Sequence, residues 1–182
     1  LAAAGLGDLH LDLGHVGVFR ALAAEARLSE ELEGDLFEAL QRKARSQIEA
    51  LLATCDAPTG AKAMLAVLAD LNGGTEALLR ARELLKGAPP AVQVALINLE
   101  RVADAVTTAG TPVYIDLAEL RGYRYYTGVV FSAFVSGQGQ AVAQGGRYDG
   151  IGRAFGRARA ATGFSTDLRR LLRLEPAGAN GL

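Results

Sequence analysis

The chain has 182 residues, with 19 Lys and Arg against 20 Asp and Glu, a formal net charge of −1. This balance disfavours an obligate nucleic-acid-binding protein, which shows a basic excess, and no apolar run reaches the ~18 residues that a membrane helix needs. The single Cys rules out an internal disulfide and fits a reducing compartment, so we expect a cytoplasmic protein that contacts neither nucleic acid nor membrane. The first residues carry no initiator Met and no basic start, so we also expect an interior or C-terminal piece of a longer protein.

Residues 1–25 begin with a strand pattern. Leu9, Leu11 and Leu13 alternate with polar residues, and this period of two is typical of a half-buried strand. We expect Gly14 to end the strand and a short helix to follow. His10 and His15 flank the break at a spacing of five, which does not place them on one helical face, so no metal site is expected.

Residues 26–110 are rich in Ala, Leu, Glu and Arg and predict a series of helices. Ser29 suits an N-cap, with Glu30 and Glu31 in the positive first turn. Further helices are expected over 44–53, 60–71, 75–86 and 90–108. Residues 72–74, Asn-Gly-Gly, are expected to form a break between two of them. We interpret the apolar stripes as core packing, with docking of a partner on one helical face as the alternative.

Residues 111–175 change to strand patterns. Strands are expected over 113–117, 128–135 and 139–144, the last two as an antiparallel hairpin. A short helix near 148–155 follows, and Gly163, Phe164 and Ser165 are expected to enter a final helix. Residues 176–182 have no core-forming pattern and are expected to fray.

Two segments of this region suit ligand binding: Arg-Gly-Tyr-Arg-Tyr-Tyr-Thr-Gly at 121–128 and Gly-Gly-Arg-Tyr-Asp at 145–149. Arg offers a planar donor fork to a carboxylate or phosphate, and Tyr offers an apolar wall with a polar tip. Gly lets the backbone approach a ligand. Together they indicate a pocket for a small, polar, partly aromatic ligand. No Walker pattern is present, so we interpret the glycines at 145–152 as a turn beside the hairpin.

These segments resemble the signatures of histidyl-tRNA synthetases. Residues 121–128 resemble Arg-Gly-Leu-Asp-Tyr-Tyr-Thr-Gly, residues 145–149 match the second signature, and residues 161–171 lie where class II motif 3 lies. The resemblance implies an α+β fold, a class II aminoacyl-tRNA synthetase-like antiparallel sheet flanked by helices. Residues 1–25 and 111–175 would form the core, without its N-terminal half, and residues 26–110 a helical insertion.

The resemblance also implies site residues. The ligand-binding positions of a histidine-like pocket would be Arg121, Tyr123, Tyr126, Tyr148 and Gly163. Arg121 would hold a carboxylate, while Tyr126 and Tyr148 would enclose an imidazole. A pocket that no longer binds, with these residues kept for packing, is the alternative. Arg147 and Arg170 are weaker candidates for an anion contact. Neither a metal nor a cofactor is expected.

The departures from the synthetase pattern change the implied function. Tyr123 and Arg124 replace Leu-Asp, which inverts the local charge and would reshape the pocket. In motif 3 the family has Gly-Leu-Glu-Arg, whereas this chain has Asp167 in place of the small Gly and Arg169 in place of the acid. Asp167 would add bulk and negative charge to a nucleotide pocket.

This pattern resembles the regulatory subunits of ATP phosphoribosyltransferase, which are synthetase paralogues without aminoacylation activity. The resemblance implies a non-catalytic subunit that activates the short-form catalytic subunit in the first step of histidine biosynthesis and helps histidine inhibit it. Self-association through the class II core is also implied. The alternative is a histidyl-tRNA synthetase catalytic-core fragment that activates histidine with ATP. A third, weaker alternative is a paralogue that attaches an amino acid to another protein.

Overall fold

The computed structural model describes residues 8–150, 152, 156–157 and 159–174. Its strands are β1 Leu9–His15, β2 Asn72–Gly73, β3 Val113–Asp116, β4 Val129–Val135, β5 Ala143–Arg147 and β6 Thr162–Thr166. Its α-helices are α1 Val16–Glu25, α2 Glu30–Gln41, α3 Arg45–Thr54, α4 Thr59–Val67, α5 Glu76–Leu84, α6 Pro90–Thr108 and α7 Leu168–Arg173, and Leu68–Asp70 is a 3₁₀ turn. The predicted frayed tail, 176–182, lies outside the described residues.

The strands form one sheet in the order β2-β3-β1-β4-β5-β6. Neighbouring strands run antiparallel, except that β1 and β3 run parallel. The expected α+β class is therefore confirmed, with a mixed rather than a purely antiparallel sheet. The parallel pair is possible because the helices α1 to α6 connect β1 to β3, and parallel strands need a long crossover connection.

The helical segment follows the sequence pattern closely. Ser29 caps α2 as expected, its side chain accepting a hydrogen bond from the Leu32 N–H at 3.2 Å. The helix α6 has the predicted bounds, with Pro90 at its start, where a missing N–H costs nothing. None of the described helices is both long and apolar enough to cross a membrane.

The expectation that Gly14 ends the first strand is wrong. β1 runs through Gly14 to His15, and Gly14 pairs with Val130 of β4. A Cβ atom at Gly14 would lie 2.6 Å from the Glu119 carbonyl oxygen and 2.9 Å from that of Asp116. The glycine is therefore needed because the chain after β3 passes directly over it, not because the strand stops.

Two further expectations about the strands are wrong. Gly163, Phe164 and Ser165 lie in β6, and α7 begins only after Asp167. The predicted break at 72–74 does separate two helices, and it also contains the two-residue strand β2, which pairs with β3. The hairpin is antiparallel as predicted, but its second strand is shifted to 143–147, so Gly145 and Gly146 lie in a strand. Of the helix expected near 148–155, residues 149–150 form a turn, while 151 and 153–155 lie outside the described residues.

The sheet has two distinct faces. Side chains alternate along each strand, so the register places Leu11, Leu13 and Phe131 on one face, called the helix face here. His10, Asp12 and Ser132 lie on the opposite face, called the outer face. The helix face carries the main core, in which Phe19 of α1 is completely buried against the sheet and the neighbouring helices.

Candidate functional site

A row of small residues crosses the outer face of the sheet. Gly14, Val130, Gly146 and Gly163 are successive register neighbours on β1, β4, β5 and β6. Three of these four positions lack a side chain, so other groups can approach the backbone of the sheet here. We call this row the glycine floor.

Tyrosine side chains lie over one end of the glycine floor. A Cβ atom at Gly146 would lie 2.9 Å from Cδ1 of Tyr126, and one at Gly163 would meet the Tyr148 hydroxyl. Tyr125 stacks on Tyr148 with ring centroids 5.0 Å apart and meets Tyr126 edge-on at 5.1 Å. These three residues, named the tyrosine cluster here, form an aromatic surface that ends in hydroxyl groups able to donate or accept hydrogen bonds.

Charged groups lie at the other end of the glycine floor. Glu119 covers Gly14 with its backbone, and the Glu119 carboxylate accepts a hydrogen bond from the Arg121 N–H at 3.2 Å. The Arg121 guanidinium lies 3.7 Å from the same carboxylate. Burial raises the pKa of Glu119, and the charge of Arg121 opposes that rise. Burial also raises the pKa of the nearby Asp12, so this end combines desolvated carboxylates with a half-exposed cation.

Hydrogen bonds fix the loop that carries the tyrosine cluster. Gly122 has φ +64°, a conformation that favours glycine, and the Tyr126 N–H donates to the Gly122 carbonyl at 2.9 Å. The Thr127 N–H donates to the Arg147 carbonyl at 2.7 Å, and the Thr127 hydroxyl accepts from the Asp149 N–H at 3.0 Å. The loop between β3 and β4 is thus joined to the end of β5.

The predicted pocket residues separate into two groups. Tyr126, Tyr148 and Gly163 meet over the glycine floor, and Arg121 lies at its charged end. Tyr123, by contrast, is 7% exposed in the main core, where the centroid of its ring lies 4.5 Å from that of Phe37. Since that ring packs against α2, it contributes to the core rather than to the tyrosine cluster.

The residues that depart from the synthetase pattern also have local partners. Arg124 lies over the Tyr123 ring at 6.0 Å, and its guanidinium is 3.8 Å from Glu30 of α2. Asp167 caps α7 by accepting hydrogen bonds from the backbone N–H groups of Arg169 and Arg170. The substitution for glycine at 167 therefore stabilises a helix end in this chain.

Both anion-contact candidates donate to groups of the protein itself. The Nε atom of Arg147 donates to the Asp149 carboxylate at 2.7 Å. Arg170 donates to the Ala141 carbonyl at 2.9 Å and to the Gln140 side chain, which joins α7 to the hairpin loop. An anion at either guanidinium would have to share it with these acceptors.

Sequence reasoning missed Tyr125, Glu119 and the glycine floor. Tyr125 belongs to the same signature, but the family resemblance assigned it no role. Glu119 could have been found as the acid two residues before Arg121, a spacing that allows a side-chain to backbone hydrogen bond. The floor depends on the register of four strands, which no spacing in the sequence reports.

A groove of about 1280 Å³ lies on the helix face, between α1, α6 and the strands β4 to β6. Its walls are mostly apolar, and Phe164 and Val94 are 69% and 57% exposed beside it. His15 and Arg20 contribute polar atoms to the wall. This groove is separated from the tyrosine cluster only by the thickness of the sheet, because Gly146 and Gly163 line it from the other side.

His15 performs a structural task at the edge of this groove. Its Nδ1 atom accepts a hydrogen bond from the Gly17 N–H at 3.0 Å and so caps α1. Burial lowers the pKa of His15 to about 4. His10 lies on the opposite face of β1, stacked on Phe134 with ring centroids 5.3 Å apart, so the two imidazoles do not meet.

The sheet, the connecting helical segment and the signature loop over a glycine floor define a fold of the class II histidyl-tRNA synthetase type. Residues 1–171 match the family model described as histidyl-tRNA synthetase, and the chain belongs to that family. It is 56% identical over 179 residues to a protein of Pseudomonas aeruginosa (strain LESB58) named ATP phosphoribosyltransferase regulatory subunit, covering 97% of this chain and 45% of that protein.

Two further similarities agree with this. A protein of the same name from Chromohalobacter salexigens is 54% identical over 180 residues, covering 98% of this chain and 46% of that protein. The crystal structure of an ATP phosphoribosyltransferase regulatory subunit/histidyl-tRNA synthetase from Bacillus halodurans superimposes with a TM-score of 0.81 at 29% identity, covering 95% of this chain and 46% of that one. The chain thus spans about half the length of the relatives it matches.

Proposed function

We propose that the chain is part of a regulatory subunit of ATP phosphoribosyltransferase. In this proposal it performs no catalysis itself and activates a short-form catalytic subunit in the cytoplasm, in the first step of histidine biosynthesis. The observation that carries the proposal is the 56% identity, over nearly the whole chain, to a protein of that name. The local roles of Asp167 and Arg170 agree with it. Asp167 caps α7 and Arg170 donates to the hairpin loop, so both side chains have structural partners without a bound nucleotide.

We further propose that the tyrosine cluster and the charged end of the glycine floor bind histidine as the inhibitory signal. Arg121 would hold the carboxylate of the amino acid, and the rings of Tyr126 and Tyr148 would contact the imidazole. Glu119 would face the ammonium group. Tyr123 takes no part in this version of the pocket because its ring is buried in the core. Inhibition would then be a coupling free energy between this pocket and the catalytic partner.

Reconstitution of activity tests the proposal. The intact protein is mixed with the short-form catalytic subunit from the same source, and phosphoribosyl-ATP formation is followed with and without histidine. We expect the mixture to be faster than the catalytic subunit alone, and histidine to suppress that gain. Co-elution of the two proteins in size-exclusion chromatography gives an independent measure of assembly, and the elution volume of the intact protein alone tests the proposed self-association.

Membership of the histidyl-tRNA synthetase family favours one alternative, activation of histidine with ATP. Histidine-dependent exchange of pyrophosphate into ATP by the intact protein distinguishes the two. Exchange without any effect on the phosphoribosyltransferase would overturn the regulatory proposal. Activation of the phosphoribosyltransferase without exchange would exclude the synthetase activity.

A further inference from the structure

Arg20 of α1 contacts the signature loop from the helix side of the sheet. Its Nη2 atom donates to the Tyr126 carbonyl at 3.0 Å and also to the Tyr123 carbonyl. These acceptors are 103 and 106 residues away in the sequence, so the contact joins distant parts of the chain. A single nitrogen atom therefore bridges the two peptide groups between which the loop turns.

One of these carbonyl groups belongs to Tyr126, whose ring is closely enclosed. Tyr126 sits between the backbone of Gly122 and that of Gly146, because a Cβ atom at either glycine would lie 2.9 Å from its ring. Its neighbour Tyr125 is 50% exposed and is supported by the Tyr126 and Tyr148 rings. A small rotation of the Tyr126 peptide would therefore move Tyr126 off the floor and Tyr125 with it.

We propose that Arg20 is a positioning residue for the tyrosine cluster, and thereby for the histidine pocket, so that this inference rests on the proposed function of that site. Arg20 would not touch the ligand. Its guanidinium holds the loop in the form in which the rings of Tyr125, Tyr126 and Tyr148 meet. The hydrogen bonds from a charged guanidinium are stronger than those from a neutral donor, so an arginine is well suited to holding these two carbonyl groups.

The position of Arg20 permits a specific test by chemical rescue. Arg20 lines the groove on the helix face, which is open to solvent and wide enough for a small cation. In the variant R20A, free guanidinium added to the solution can enter from the groove and donate to the same carbonyls. Sodium chloride at the same concentration supplies the ionic-strength control.

Two readouts follow the intact protein and its variants. The difference in near-ultraviolet circular dichroism between each variant and the wild type reports the ring cluster, because the cluster holds three of the five Tyr of this chain. Calorimetric titration reports the affinity for histidine. The matched control is R101A, because Arg101 of α6 lines the same groove and its removal leaves the two bonds of Arg20 in place. The variant R20M keeps the apolar stem and removes only the donors.

We expect R20A and R20M to lose part of the tyrosine dichroism and to bind histidine roughly tenfold more weakly or worse, while R101A stays near wild type. Guanidinium should restore both readouts in R20A and neither in R20M, whose side chain fills the space. Wild-type dichroism and affinity in both Arg20 variants would overturn the inference. So would failure of both variants to fold, because Arg20 would then serve the core rather than the loop. Absence of histidine binding by the wild type would overturn the proposed pocket alone, since the dichroism still tests the role of Arg20.

Discussion

The ring of Tyr126 lies directly over Gly146, with its Cδ1 atom 2.9 Å from the position that a Cβ atom would occupy. The carbonyl oxygen of Val129 lies 2.7 Å from the same position. Gly146 is thus confined by an aromatic ring and by the backbone of the neighbouring strand. The contact links the two signature segments in space, although twenty residues separate Tyr126 from Gly146 in the sequence.

This contact predicts the effect of G146A. The added methyl group has to displace the Tyr126 ring or separate β4 from β5, which should reduce the free energy of unfolding by about 1–3 kcal/mol. Urea denaturation followed by far-ultraviolet circular dichroism measures the change. The control is G150A, because a Cβ atom at Gly150 would meet nothing within 4 Å. Equal stability of the two variants would show that the ring does not occupy this position.

The cap formed by His15 predicts a pH dependence of stability. The pKa of His15 is about 4 in the folded chain and near the ordinary value of 6.5 in the unfolded chain. Between these values the unfolded chain binds a proton that the folded chain does not, so acidification favours unfolding. The contribution is complete above pH 6.5 and is lost as the pH falls towards 4, with a slope of at most about 1.4 kcal/mol per pH unit.

The variant H15N isolates this contribution. Asparagine can accept the Gly17 hydrogen bond as an N-cap but does not titrate. Urea denaturation of both proteins from pH 7 to pH 4.5 should therefore give a smaller loss of stability for H15N than for the wild type. Parallel curves would mean that His15 is not held in its neutral form by burial.

Glu119 predicts a pH dependence of the opposite sign. Because burial raises its pKa in the folded chain, the charged carboxylate destabilises the fold at neutral pH, and this cost disappears as the pH falls through the raised pKa. The variant E119Q, whose amide oxygen can still accept the Arg121 N–H, should be more stable than the wild type at pH 7. The difference should shrink on acidification. The control E83Q alters a carboxylate that is fully exposed beside Lys86 and should show no such gain.

The sequence predicted those parts of the fold that depend on local patterns. The bounds of α6 follow from an apolar stripe with a period of 3.6 residues and from Pro90, both of which act within the helix. β6 was missed because a five-residue edge strand depends on its pairing with β5. For the same reason the sequence pattern predicts a strand end at Gly14, whereas this glycine is required because the Glu119 backbone, from a distant part of the chain, approaches it.

The sequence predicted which residue types form the candidate site, but only part of their arrangement in space. The signature residues indicated tyrosines, an arginine and glycines, and the structure brings Tyr126, Tyr148 and Gly163 together. The direction of each side chain in the loop could not be predicted, because neighbouring residues of an irregular segment follow no fixed period. Tyr123 therefore enters the core while Tyr126, three residues later, lies over the sheet.

The proposed histidine pocket gives the last prediction, which compares two arginines of the same loop. In R121M the ligand carboxylate loses its charged donor, and we expect the histidine concentration for half-maximal inhibition of the reconstituted enzyme to rise about tenfold or more. In the wild type the Arg124 guanidinium lies beside Tyr123 and Glu30 of α2. Its removal in R124M should therefore leave the histidine concentration for half-maximal inhibition within about twofold of wild type. Dose–response curves for both variants at the same subunit ratio provide the measurement. Equal effects of the two variants would mean that the total charge of the loop, and not the position of Arg121, controls inhibition. Arg121 would then not be the residue that holds the carboxylate of histidine.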